Sequence, residues 1–526
     1  MHQAEIIVLL FTVVAASVLV ARKTALPYPV VLVLVGLVLS FIPRLPEVKL
    51  DPEIVFYFFL PPLLYPAALF TSWRDFRRNL RPIVLLAIGL VLFTMVVVAC
   101  VVHALIPSLP WAAAFALGAI VSPPDAVAAT SVITRLPVPH RIVSILEGES
   151  LLNDATALVA LQFAVAALAT GKFSLGEASL RFVWAAAVGI GVGLLIGLAI
   201  RWVQRHLDDP PVQITISLLT PFLAYLPAER MHASGVLAVV TTGIYLGWHS
   251  PLILTARYRL QAFAFWEIVV FLLNGFVFTA IGLQLPEILK SLKGESLFSP
   301  IENALLVSAA VVLVRMAWVF PGAYLPFFLH KRTRREPLPE WRNVAVMGWS
   351  GMRGVVSLAA AFALPYILPN GSPFPGRNYI LFLTFGVILV TLLFQGLTLP
   401  IVIQKLCIKA DNATDEEERT ARLKANQAAI ESIEKLRDSG KFSPDTVDRL
   451  RAEYDERVEQ LHLCAENPDD CRGEIATPQY QRLQRQALRV ERQTIIRLRN
   501  EHVINDDALR RIQRDLDLAE ARLSGT

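Results

Sequence analysis

From Met1 to about Ile408 the chain is a succession of long apolar runs separated by short polar segments; beyond Asp411 it turns dense in Arg, Glu, Asp and Gln. A membrane span takes about 20 mostly apolar residues. On that scale about thirteen candidates stand near 5–21, 28–43, 53–71, 80–106, 111–133, 142–170, 182–200, 212–228, 233–249, 262–286, 301–329, 343–368 and 378–404. The pattern predicts an all-α polytopic membrane protein, with a transmembrane domain over 1–408 and a soluble helical tail over 409–526. The first run ends at Arg22-Lys23 rather than at a small-residue cleavage site, so it reads as a span and not as a removable signal.

The tail reads as helices broken near Gly440, Pro444, Pro468 and Pro478. Within them, charges of both signs alternate with apolar residues at helical spacing, such as Val447, Leu450, Tyr454, Val458 and Leu461. No heptad is sustained, which argues for a small solvated bundle over a long coiled coil. A regulatory or dimer-supporting module is the sharper alternative.

Charge sharpens the membrane reading. Only 18% of the 526 residues are charged, where a soluble protein carries about a quarter. Basic residues gather in alternate loops: Arg74, Arg77, Arg78 and Arg81; Arg135 and Arg141; Arg201 and Arg205; Arg257 and Arg259; Lys331 to Arg335. That asymmetry places these loops and the tail in the cytoplasm and the N-terminus outside. The net charge of +5 is thus a topological signal and not a sign of nucleic-acid binding. Four cysteines, Cys100, Cys407, Cys464 and Cys471, offer neither a disulfide framework nor enough ligands for a metal. No phosphate-binding loop calls for ATP, and no cofactor is implied.

Ionisable groups at membrane depth are costly and mark functional sites by default. His103, Glu229, Arg230 and His232 fall near interfaces, and Glu267 is either interfacial or just inside a span edge. The stretch Ser122-Pro-Pro-Asp125 breaks a span in its middle. Pro123 and Pro124 remove two backbone donors, and Asp125 follows at once. Unwound backbone at that depth lines a protein or aqueous cavity, where freed carbonyls and half-helix ends bind ions. A plain proline kink with Asp125 paired off is the bland alternative.

The next span carries Glu147-Gly-Glu-Ser-Leu-Leu-Asn-Asp154. Ser150 and Asp154 stand one turn apart on one helical face, with Glu149 and Asn153 as the neighbouring pair. Carboxylate, amide and hydroxyl together make a hard-oxygen environment that suits a small monovalent cation or a proton. A buried, unpaired carboxylate is costly when ionised and empty, so Asp154 is suited to hold one or the other. A second break falls in Met347-Gly-Trp-Ser-Gly351-Met-Arg353-Gly354-Val-Val-Ser357. Arg353 needs a buried carboxylate partner, and Glu149 is the best candidate. Arg315 is a second buried cation, either functional, paired with another acid or snorkelling from a span end. Two broken spans, one in each half, are the pattern of an inverted-repeat transporter with its site at the midplane.

Four motifs then occur in order: Phe58-Phe-Leu-Pro-Pro-Leu-Leu-Tyr65, Ser122-Pro-Pro-Asp-Ala-Val-Ala128, Gly148-Glu-Ser-Leu-Leu-Asn-Asp154 and Gly351-Met-Arg-Gly354. Together they resemble the monovalent cation/proton antiporter-1 family of sodium/proton exchangers, in its bacterial form, over roughly residues 5–405. The resemblance implies that Asp154 alternately binds Na⁺ and a proton, with Ser150 as a further oxygen ligand. It makes Asn153-Asp154 the Asn-Asp pair of generally electroneutral exchangers, and sets Asp125 at the crossing of the two broken helices. Glu149 and Arg353 would form the buried ion pair. Some relatives have Thr before this aspartate; here Pro124 offers only its carbonyl. A homodimer in the bacterial cytoplasmic membrane, with a six-helix core moving against a scaffold, is also implied. Two other classes fit less well. A channel leaves the single buried carboxylate and paired broken helices without a purpose. An intramembrane aspartyl protease lacks its Gly-x-Gly-Asp run here.

Overall fold

In lipid every backbone N–H and C=O must be satisfied within its own segment, so apolar runs of this length fold as helices. A computed structural model of the chain describes residues 11–17, 19, 21, 27–42, 52–134, 136–171, 174–290, 298–329, 338–369, 371–408, 413–438, 442–466, 478–501, 512–513, 516 and 518–519. The expected span at 5–21 lies largely outside them. Each later expected span falls on a helix or a helix pair. Among the described residues eight helices are long and apolar enough to cross a membrane, with 28–39 and 55–70 as shorter apolar helices. Two compact units divide at Asp411/Asn412.

In the first unit we number the main helices α1 (Tyr28–Leu39), α2 (Leu60–Phe70, entered through a π-helical turn, Val55–Phe59), α3 (Val91–Leu105, preceded by Leu80–Val84 and a second π turn), α4 (Trp111–Val121), α5 (Ala126–Ile133), α6 (His140–Thr170), α7 (Leu175–Arg205), α8 (Pro210–Arg230), α9 (Gly235–Ile253), α10 (Ala256–Leu283), α11 (Phe298–Leu329), α12 (Trp341–Trp349), α13 (Val355–Phe362), α14 (Arg377–Val390) and α15 (Gly396–Lys405). Ends are set locally: Ser174, Ser234 and Thr255 cap α7, α9 and α10 with their hydroxyls. Gly171 ends α6 in the left-handed conformation that glycine adopts freely.

Two packing groups result. Helices α3, α4, α6, α11, α12, α13 and α14 pack on one another; α1, α2, α7, α8, α9 and α10 form a second set. Contacts between the sets run mainly through α6 with α2 and α9, and α13 with α10. The first set repeats one pattern twice. A long helix, a broken pair and a second long helix occur as α3, α4/α5, α6 and again as α11, α12/α13, α14–α15. This is the architecture in which a site sits at the middle of the membrane.

In the second unit, α16 (Ala413–Asp438) and α17 (Pro444–Glu466) pack together, followed by α18 (Pro478–Asn500). Pro444 and Pro478 each open a helix, where a missing N–H costs nothing. Arg437–Asp448 at 3.3 Å and Arg451–Glu434 at 3.0 Å link α16 to α17. Leu488, Ile495 and Leu516 form a small apolar cluster. The expected break at Pro468 lies outside the described residues, as does Cys471.

Candidate functional site

Pro123 and Pro124 fall between α4 and α5, and Gly351 and Gly354 lie in the break between α12 and α13. The two interruptions meet: the Asp125 N–H donates to the Met352 carbonyl at 2.7 Å. Four helix ends therefore converge at one depth. The carbonyl ends of α4 and α12 carry partial negative charge, and the N–H ends of α5 and α13 partial positive charge.

Each end finds a side chain of opposite sign. Arg353, fully buried, donates from Nε to the Val121 carbonyl at 2.9 Å and from Nη2 to that of Ser122 at 3.3 Å, and Nη1 to Gly351 O. Its own N–H is held by Thr391 Oγ1 at 3.1 Å. Asp125 accepts from Val127 N at 2.9 Å, and its carboxylate also meets the N–H groups of Ala128 and Val355. One carboxylate thus serves the starts of both α5 and α13. Gly354 permits this. Its φ of −143° is open to any residue, but a Cβ there would lie 1.8 Å from Asp125 Oδ2.

On α6, Glu149 does not pair with Arg353 as the sequence led us to expect. Its two oxygens take Arg315 Nη1 at 2.5 Å and Nη2 at 2.8 Å. Arg315, on α11, also donates from Nε and Nη2 to the Met347 carbonyl near the end of α12. The physical reason is that Arg353 already has its counter-charge in the carbonyl end of α4, while Arg315 presents the fork that matches a carboxylate. Gly351 leaves room for the Arg315 stem, since a Cβ would meet its Cδ at 2.3 Å.

Asn153 is fully buried and donates from Nδ2 to the Pro124 carbonyl at 2.9 Å, tying α6 to the first break. Its Oδ1 has no partner among the described residues. Asp154 is 6% exposed, and no hydrogen bond or ion pair to it occurs among the described residues. It stands close enough to Asp125 for their charges to interact. Asp154, Asp125, Ser150, Pro123, Pro124 and Gly354 all line one cavity of about 540 Å³. Three of the expected binding residues thus share the cavity with three broken-helix positions; Glu149, Asn153, Arg315 and Arg353 build its frame.

A second cavity of about 970 Å³ begins where the first stops. Along α6 the first takes Glu147, Ser150, Leu151 and Asp154, and the second Ala155, Leu158 and Gln162. Asp154 therefore stands at the boundary, near the middle of the helix. Sequence reasoning did not single out Ser357 on α13 or Asn274 on α10, both 2% exposed and lining the first cavity. A polar side chain within an apolar stripe was the available signal. Glu267, left open between interface and span edge, is exposed and lines the same cavity. Among the described residues no group of three or more His, Cys, Asp and Glu is placed to hold a metal.

The chain is similar to known proteins. The transmembrane part of the sodium/hydrogen exchanger family matches residues 7–405. An uncharacterised Na⁺/H⁺ exchanger of Mycobacterium tuberculosis is 39% identical over 98% of this chain and 95% of its own length. A sodium, potassium, lithium and rubidium/H⁺ antiporter of Bacillus pumilus is 35% identical over 81% of this chain and 65% of its own. In fold, the chain is similar to the sodium proton antiporter MjNhaP1 of Methanocaldococcus jannaschii, with a TM-score of 0.59, 21% identity and cover of 76% of this chain and 97% of that one. These relatives are transporters and not enzymes, and the chain belongs to the sodium/hydrogen exchanger family of multi-pass membrane proteins.

Proposed function

We propose that the chain exchanges Na⁺ for protons by alternating access, one for one, with Asp154 as the group for which both compete. The observation that carries this is the state of Asp154: a buried carboxylate at the junction of two cavities, without a protein partner among the described residues. Ionised, it takes Na⁺ with help from Ser150 and the Asp125 region; protonated, it takes none.

Charge at the crossing supports one-for-one exchange. Counted together, the carboxylates of Asp125, Glu149 and Asp154 against the guanidiniums of Arg315 and Arg353 leave one net negative charge. Either one Na⁺ or one proton cancels it. The empty, charged core meets the desolvation barrier to crossing, whereas both loaded forms are neutral.

Helices α3, α4/α5, α6 and α11, α12/α13, α14 are the moving core in this reading, and α1, α2 and α7–α10 the scaffold and dimer-forming side. The first cavity is the cytoplasmic one. Its outer residues, Thr71, Thr130 and Glu267, adjoin helix ends that carry Arg74, Arg77, Arg141 and Arg257. The tail then lies in the cytoplasm of a bacterial cell, and the inward proton gradient expels Na⁺. K⁺ or Li⁺ in place of Na⁺ is the alternative within this class, and the antiporter of Bacillus pumilus is named for several such ions.

The test is exchange in proteoliposomes with an imposed pH gradient, for the intact chain and for Asp154→Asn. Dissipation on adding Na⁺, K⁺ or Li⁺ that is lost in the variant and indifferent to a voltage clamp supports the reading. Dissipation that persists in Asp154→Asn moves the site elsewhere.

A further inference from the structure

The cavity that holds Asp154 has two walls of different origin. On the core wall, α6 contributes Glu147, Ser150, Leu151 and Asp154, and α13 contributes Ser357. On the facing wall, α10 contributes Glu267, Val270, Phe271 and Asn274. Both helices start from the same end of the bundle, and on each the stripe runs from a carboxylate to a polar group seven residues on. Seven residues of helix rise about 10 Å, so Asn274 lies deep on its wall as Asp154 does on its own.

Asn274 is costly where it stands. It is 2% exposed, and its Nδ2 has no partner among the described residues. An unmade hydrogen bond at a buried amide is costly, so such a group is expected to serve a partner that comes and goes. Ser357 Oγ is also buried and, among the described residues, unpartnered. The two differ in what carries them: Ser357 sits one turn after Gly354 in the broken helix of the core, while α10 packs on α1, α2 and α8 in the other set. Asn274 lines the first cavity and not the second.

We propose that Asn274 is a scaffold-borne positioning residue for the transported cation, acting only while Asp154 faces the first cavity. This rests on the alternating-access reading above. Its amide bonds the cation's retained water or the free carboxylate oxygen, and the site leaves it behind when the core moves. Ser357 travels with the core and meets the cation from either side.

The consequence is an asymmetry that a purely structural role does not produce. We would measure half-saturating Na⁺ separately from each face, in right-side-out and inside-out vesicles, for the intact chain, Asn274→Ala and Ser357→Ala. For Asn274→Ala, half-saturation from the first-cavity face rises roughly three- to tenfold, the cost of one hydrogen bond; from the other face it stays within about twofold, as does the maximal rate. For Ser357→Ala it rises alike from both faces. If Asn274→Ala assembles poorly, Asn274→Ser is read by the same two-sided comparison. Equal shifts from both faces, or none from either, in a chain whose intact form exchanges, overturns the proposal alone. An intact chain that exchanges no cation overturns the exchange reading and this proposal together.

Discussion

Both carboxylate oxygens of Glu149 on α6 are taken by the terminal nitrogens of Arg315 on α11, 166 residues later in the chain. Because Arg315 also holds the Met347 carbonyl near the end of α12, one side chain joins the first half of the core to the broken helix of the second. The pair is buried, at 0% and 1% exposure. Water therefore screens it little.

Removing one partner leaves an isolated charge in a dry site, which costs about 3–5 kcal/mol. Glu149→Gln and Arg315→Ala should each lower the detergent-solubilised unfolding temperature sharply. The double variant Glu149→Gln/Arg315→Ala should lose less than the two single losses summed, since both desolvation costs vanish together. Losses that simply add would mean that the contact carries no coupling.

Gly354→Ala tests the crossing itself. The new methyl would stand 1.8 Å from Asp125 Oδ2, forcing the carboxylate off the N–H groups that start α5 and α13. Exchange should fall at least about tenfold, in line with the 1 Å tolerance of positioned groups. Gly191→Ala on α7 is the matched control, with nothing within 4 Å of its added Cβ. It should transport normally. Equal activity in the two variants would contradict the contact.

Arg353 is held by geometry as much as by charge. Its planar fork spreads over the carbonyls of Val121, Ser122 and Gly351. A lysine keeps the charge but reaches from a single point. Arg353→Lys should therefore lose about 3 kcal/mol, the worth of one or two charged hydrogen bonds, read as a lowered unfolding midpoint. Wild-type stability would show that charge alone suffices there.

How much of this was legible in the sequence follows from what each signal depends on. Pro123-Pro124 and Gly351 to Gly354 interrupt helices through their own backbones, so the breaks could be placed before any packing was known. Apolar length likewise located the helices from 28 onward. The partner of Glu149 depended instead on which arginine was already satisfied. That required seeing the carbonyl end of α4 act as the counter-charge of Arg353, a helix-end charge that no residue letter records. Asn274 and Ser357 were missed for a related reason. A single amide or hydroxyl in an apolar stripe looks like any tolerated polar residue until a cavity is found in front of it.

Competition at a single carboxylate also fixes how pH enters. If Na⁺ and a proton exclude each other at Asp154, acidification removes binding sites without altering the loaded core. Half-saturating Na⁺ should rise about tenfold per pH unit once the carboxylate is mostly protonated, as required for one proton displacing one cation. At higher pH it should level off, while the maximal rate at saturating Na⁺ stays flat across the range. Equal-pH conditions on both sides of proteoliposomes, with ²²Na⁺ exchange as the readout, give this directly. A maximal rate that falls with half-saturation unchanged would place the controlling proton on another group, with Glu147 and Glu267 in the same cavity as the first to replace. A slope near two would mean that Asp125 shares the titration, and Asp125→Asn should then return it to one.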